Sequence, residues 1–165
     1  MELPAPAQAL AAQKAYATRI RTMTEEHLAQ RKAERDTLVE RASAVLTAAG
    51  YPAAVKDSRG YVLSSGWAVR GTGDGHVFVN AEPEVLTSAQ GEELQASPDF
   101  AARQLLVDRH SEDRMWWVRA QLDSYRSTLC AANWTVQLFD SRSEWNICLH
   151  AKPSSEENSR AEQVS

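Results

Sequence analysis

"MWWVRAQLDSYRSTLCAANWTVQLFD", residues 115–140, changes its hydrophobic period in mid-course. In the first part Met115, Val118, Leu122, Tyr125, Leu129 and Ala132 recur every three or four residues, the spacing that stacks side chains along one face of an α-helix. From Trp134 the pattern becomes that of a strand, "WTVQLFD", rich in β-branched and aromatic residues. A helix that ends and sends strands back across its own apolar stripe points to an α+β fold, with helices laid on an antiparallel sheet.

Downstream, "EWNICLHA" at residues 144–151 reads as the returning strand, joined to the first through "SRS". Trp145, Ile147 and Leu149 alternate onto the core side, so Cys148 and His150 share the opposite face. That pair is the candidate ligand or metal site. Zinc needs three or four ligands, however, and the remaining candidates Cys130, His27, His76 and His110 have no ligand spacing. A thiol nucleophile also needs an oriented base and a third group, which two residues on one strand do not supply. No cofactor and no catalytic residue is expected.

The same segment has an echo. "AANWTVQLFDSRS" at 131–143 follows "AAGYPAAVKDSRG" at 48–60 at an offset of 83 residues, and upstream Val39, Ala42, Leu46 and Ala49 fall on Leu122, Tyr125, Leu129 and Ala132. The pattern suggests a duplicated unit of helix, helix stop, strand, "DSR" turn and strand. Asp and Ser favour turns by bonding nearby amides, so the turn reading of "DSR" is preferred. Alternatively Arg59 and Arg142 are nucleic-acid contacts.

Toward the N-terminus, residues 7–22 are alanine-rich and helix-permissive, with a thin stripe of Leu10, Ala17 and Ile20. Thr24, followed by Glu25 and Glu26, reads as a second start, and the helix runs to a stop at Gly50. Its middle, "QRKAERD" at 30–36, is too polar to bury, so residues 1–35 are read as a projecting arm and 36–152 as one domain. Arg31 and Arg35 lie where the arm meets the domain and are candidate partner-binding residues; the mixed signs of this stretch favour local ion pairs over phosphate binding.

Between the helices, "YPAAVK", "YVLSSGWAVR" and "HVFVN" read as a three-stranded meander, the second strand with Tyr61, Leu63, Trp67 and Val69 on one side. "GTGDG" at 71–75 leads into a strand instead of a helix, so it is a hairpin turn and not a phosphate loop. Residues 81–97 form a polar connection with at most one helical turn, and Ser97-Pro98-Asp99 starts the next helix, Ser97 acting as cap. At "HSEDR" the helix either restarts behind Ser111 or passes straight through. The charges of "DRHSEDR", residues 108–114, are read as solvated. The tail from 153 to 165 is too polar to pack and is expected to be disordered.

Trp116 and Trp117 carry the main functional signal. Consecutive helical residues point about 100° apart, so both rings cannot face one layer, and the surplus ring is a candidate partner surface. With 18 basic and 22 acidic residues the net charge is −4, which disfavours general nucleic-acid coating. Two cysteines make no disulfide framework, the first residues lack a secretory pattern, and no run approaches the ~20 apolar residues of a membrane span. A cytoplasmic, non-membrane setting is expected.

The expectation is therefore one mostly antiparallel sheet of about five strands, covered on one face by helices 36–50 and 98–132. The leading functional reading is a non-catalytic accessory protein working through protein contacts, with self-association as a homodimer; a nucleic-acid-binding regulator and a small-ligand protein at Cys148 and His150 are the alternatives.

Overall fold

The computed structural model describes residues 6–141 and 146–155. It is an α+β protein with the element order α1 (Pro6–Ala48), β1 (Val55–Lys56), β2 (Val62–Ser64), β3 (Gly66–Gly71), β4 (Val77–Glu82), α2 (Ser88–Ala96), α3 (Phe100–Ala131), β5 (Trp134–Ser141) and β6 (Asn146–Pro153). The main sheet has four strands in the order β3-β4-β6-β5, every neighbour antiparallel, while β1 and β2 form a separate two-stranded sheet. Helices α1 and α3 cover one face of the main sheet.

The strands are thus divided between two sheets instead of forming the expected meander. "YVLSSGWAVR" is interrupted at Ser65, where the backbone of Pro52–Ala54 crosses so close to Gly66 that any β-carbon there would overlap it. Trp67 N–H donates to the Pro52 carbonyl at 3.0 Å and Ala54 N–H to the Trp67 carbonyl at 2.9 Å. Tyr61 and Leu63 accordingly stand exposed in the small hairpin, while Trp67 and Val69 pack on the core.

Helix α1 is continuous over 43 residues. Thr24 does not cap a second helix: its hydroxyl donates to the Ile20 carbonyl at 2.9 Å, one turn back, as Thr22 does to Thr18 at 3.1 Å. Helix α3 likewise passes straight through "HSEDR". Its cap is Asp99, whose carboxylate accepts from Ala102 N–H at 2.8 Å. Ser97 instead closes α2, a nine-residue helix in the segment expected to be mostly irregular. A reciprocal capping box starts α2, Thr87 Oγ1 accepting from Gln90 N–H at 3.2 Å and Gln90 Oε1 from Thr87 N–H at 3.0 Å.

The two long helices end alike. Gly50 has φ 87° and Asn133 φ 62°, both in the left-handed region. Around Gly50 the Tyr51 N–H reaches the Leu46 carbonyl at 3.1 Å and Gly50 N–H the Thr47 carbonyl at 2.9 Å; Asn133 N–H reaches Cys130 at 3.1 Å. This equivalence matches the sequence echo, with Leu46 and Leu129 both fully buried at the offset of 83. Beyond the stops the two segments differ. Asp57 sits in a tight turn, accepting from Arg59 and Tyr61 N–H at 2.9 Å each, whereas Asp140 lies inside β5.

Ala42, Leu46, Val118, Leu122, Tyr125 and Leu129 from the helices meet Val77, Val79, Ile147, Leu149 and Ala151 from the central strands, with Trp134 and Val136 at the side. The Tyr51 ring stands edge-on to Tyr125, centroids 5.0 Å apart. Ala49 and Ala132, read as part of the stripes, are exposed, because each lies past the last turn that touches the sheet. Strand β6 extends through Pro153, and Ser154 N–H donates to the Asn133 carbonyl at 2.8 Å, so the first residues of the expected floppy tail are held; residues 156–165 lie outside the described part.

Candidate functional site on the open face of the sheet

Strand alternation sends one set of side chains under the helices and the other onto a face that no described element covers. Register aligns four of the latter in a row straight across the sheet: Arg70 pairs with Phe78, Phe78 with His150, and His150 with Gln137. Within the row the Arg70 guanidinium lies 5.7 Å from the Phe78 ring centre, and the Phe78 and His150 rings are 5.0 Å apart at 30°. His76 stacks on His150 from the side, centroids 4.3 Å apart and planes 15° from parallel. One position along, Phe139 pairs with Cys148; Lys152 lies on the same face of β6 as His150.

Cys148 and His150 therefore do share the outer face. Cys148 is nonetheless only 8% exposed, and that burial pushes its thiol above the ordinary value of 9.0, with the Arg70 charge acting the other way. A thiol held protonated is a poor nucleophile and a poor metal ligand at neutral pH. Among the described residues no three His, Cys, Asp or Glu side chains are placed to hold a metal ion. The electrostatics of the face are mildly cationic. Its strands supply Arg70 and Lys152, against the carboxylate of Glu82, which Lys56 neutralises at 2.5 Å. Asp74, in the adjoining β3–β4 turn, lies 3.3 Å from His76 Nδ1, and its carboxyl is held below the ordinary range first by the Thr72 hydroxyl.

The other candidates are dispersed. Trp116 is 75% exposed on α3, whereas Trp117 is half-buried against the core and lines a cleft with Ser65, Pro83, Thr87 and Arg114. Arg31 and Arg35 are occupied within the chain: Arg31 Nη2 donates to the Gly73 carbonyl at 2.7 Å, and the Arg35 stem lies over Gly71. Arg59 is exposed in the β1–β2 turn, and Arg142 lies outside the described residues. "GTGDG" is the β3–β4 hairpin tip, with Gly73 and Gly75 at φ 84° and 85°.

His110 differs from its charged neighbours. It is 4% exposed between α2 and α3, its Nε2 3.4 Å from Glu93 Oε2, while Asp108, Glu112 and Asp113 are solvated as expected. The sequence pattern gave no site role to Phe78, Arg70 and Phe139, and pointed to His76 only as a metal-ligand candidate. Alternation in "HVFVN" and "TVQLF" carried the signal, because His76, Phe78 and Asn80 must share one face, as must Thr135, Gln137 and Phe139.

No family model, no curated protein and no solved structure matches this chain.

Proposed function

We propose that this chain is a non-catalytic cytoplasmic accessory protein that works through protein–protein contacts, its first partner being a second copy of itself. The observation that carries this reading is the arm: every side chain of α1 from residue 8 to residue 34 is exposed. Leu10, Tyr16, Ile20, Met23 and Leu28 are among them, large apolar groups exposed on the part of the helix that precedes Arg31. Isolated helices are marginal in water, and most helical stability comes from packing an apolar face. A helix that stays formed over this length gains by pairing. The exposed indole of Trp116 is a second anchor of the residue type that dominates contact energies. No described helix is long and apolar enough to cross a membrane.

Sedimentation velocity of the full chain, wild type against Ile20→Glu/Met23→Glu and against Trp116→Ala, tests the reading. A wild-type dimer that the arm variant converts to monomer supports it. A monomer throughout, with no nuclease-resistant partner retained from host extract, removes it.

A further inference from the structure

We infer that the open face of the main sheet is a binding platform for single-stranded nucleic acid, taking two or three unpaired bases across the row Arg70, Phe78, His150 and Gln137. Strands lie about 4.8 Å apart, so the row is about 14 Å long, the scale on which a four-stranded sheet stacks two or three bases. Each class of contact such a ligand needs is present. His76 and His150 cover one face of each other and Arg70 lies over Phe78, so a base meets the outer side of this stack and the exposed ring of Phe139, and stacking there tolerates any base. Arg70 and Lys152 stand at opposite sides of the imidazole stack as partners for phosphates. Gln137, exposed beside His150, can donate to and accept from a base edge.

Charge complementarity selects this occupant over another protein. The centres of protein interfaces are enriched in arginine and aromatic rings but depleted of lysine, whereas here Lys152 stands beside the rings as a second cation. The chain's overall charge of −4 does not oppose this, since Arg70 and Lys152 on this face stand against Glu82, already ion-paired with Lys56, and Asp74 of the adjoining turn, which lies beside His76. These residues are distinct from Arg59 and Arg142, and the face lies on the sheet and not on the arm. A duplex is excluded as ligand because its bases are already stacked on one another and cannot lie on the rings.

The test is fluorescence anisotropy of the full chain with labelled ten-nucleotide oligo(U) and oligo(dT), and with a ten-base-pair duplex, over a series of KCl concentrations. Single strands are expected to bind at low salt at least about ten-fold more tightly than the duplex, the better of the two identifying RNA or DNA as the source. Phe139→Ala is expected to weaken binding about five-fold or more. Arg70→Gln/Lys152→Gln should lower the slope of log K against log salt by about 1.4, as two lost phosphate contacts require. Both alter exposed side chains, and unchanged melting confirms the fold; Arg126→Gln, on exposed α3 surface, should bind as wild type. Absence of oligonucleotide binding, equal duplex affinity, or unaltered binding by both face variants overturns the proposal. So does loss of self-association in those variants without effect on the oligonucleotides, which would make the face a protein interface.

Discussion

The guanidinium of Arg31 reaches the carbonyl of Gly73 across 2.7 Å, and this bond marks the place where the arm leaves the body of the protein. On the arm side every residue back to position 8 is exposed; on the body side Arg35, Leu38 and Val39 begin to pack. At about 1.5 Å per residue, the part beyond Arg31 is some 35 Å long, comparable with the diameter of a small domain. The packed half of the same continuous helix sets the direction of this long lever, and one exposed polar contact braces it where it leaves the body.

Arg31→Ala is expected to cost the body little, about 1 kcal/mol or less, because the bond is solvent-exposed. Its larger effect should be on the arm. Hydrogen exchange at residues 24–34 should accelerate while exchange at Leu122 and Leu129 stays unchanged.

Gly66→Ala should be one of the most damaging single-atom additions in the chain. The new methyl group would overlap the backbone of Pro52, Ala53 and Ala54, and backbone cannot rotate away. A loss of about 1–3 kcal/mol in guanidinium unfolding is expected. At Gly71 the first obstacle is the flexible stem of Arg35, so Gly71→Ala should cost less in the same measurement.

The two cysteines should differ sharply toward alkylation. Cys130 is exposed, whereas Cys148 is buried with its thiol pushed above 9.0 by that burial. Iodoacetamide at pH 8, followed by peptide mass spectrometry, should label Cys130 first. Fast labelling of Cys148 at that pH would show that the sheet face opens readily.

Stability should decline in alkali through Tyr125. Burial raises its phenol above the ordinary 10.0, and the neighbouring Tyr51 acts in the same direction. The folded state thus holds the proton more tightly than the unfolded chain. The resulting stabilisation is fully present below pH 10 and is lost as pH rises through the folded-state value. Chemical unfolding at pH 9, 10 and 11 should show that fall, and Tyr125→Phe should flatten it.

Much of this architecture can be read from local pattern. The stripe from Met115 to Leu129 declared its helix because the period persists for four turns, and the α3-to-β5 switch showed where sheet begins. The division of the strands could not be read, since the need for glycine at position 66 arises from chain 12–14 residues earlier passing beside it. Helix α2 was obscured for a different reason: it buries no residue, so it has no stripe, and its only local mark is the Thr87–Gln90 box. For the open face, alternation could have grouped His76 with Phe78 and Cys148 with His150. That the two groups touch depends on the pairing of β4 with β6, strands about 70 residues apart, which no local pattern encodes.

That pairing is also the seam of the molecule. The β3–β4 hairpin, under α1, and the β5–β6 hairpin, under α3, are joined among the described residues of the sheet by Val77 with Ala151, Phe78 with His150, and Val79 with Leu149, and above the sheet by α3, which also lies on β4 and α1. Each helix and its hairpin are made of contacts near in sequence, which form early, while the seam closes a much longer loop. Docking of the two pieces, which brings together these three residue pairs and the contacts of α3 with β4 and α1, is therefore expected to come last. A crowded chain that meets another molecule's half before its own has a ready route to an exchanged dimer, with the 83–99 connection as the crossing strap.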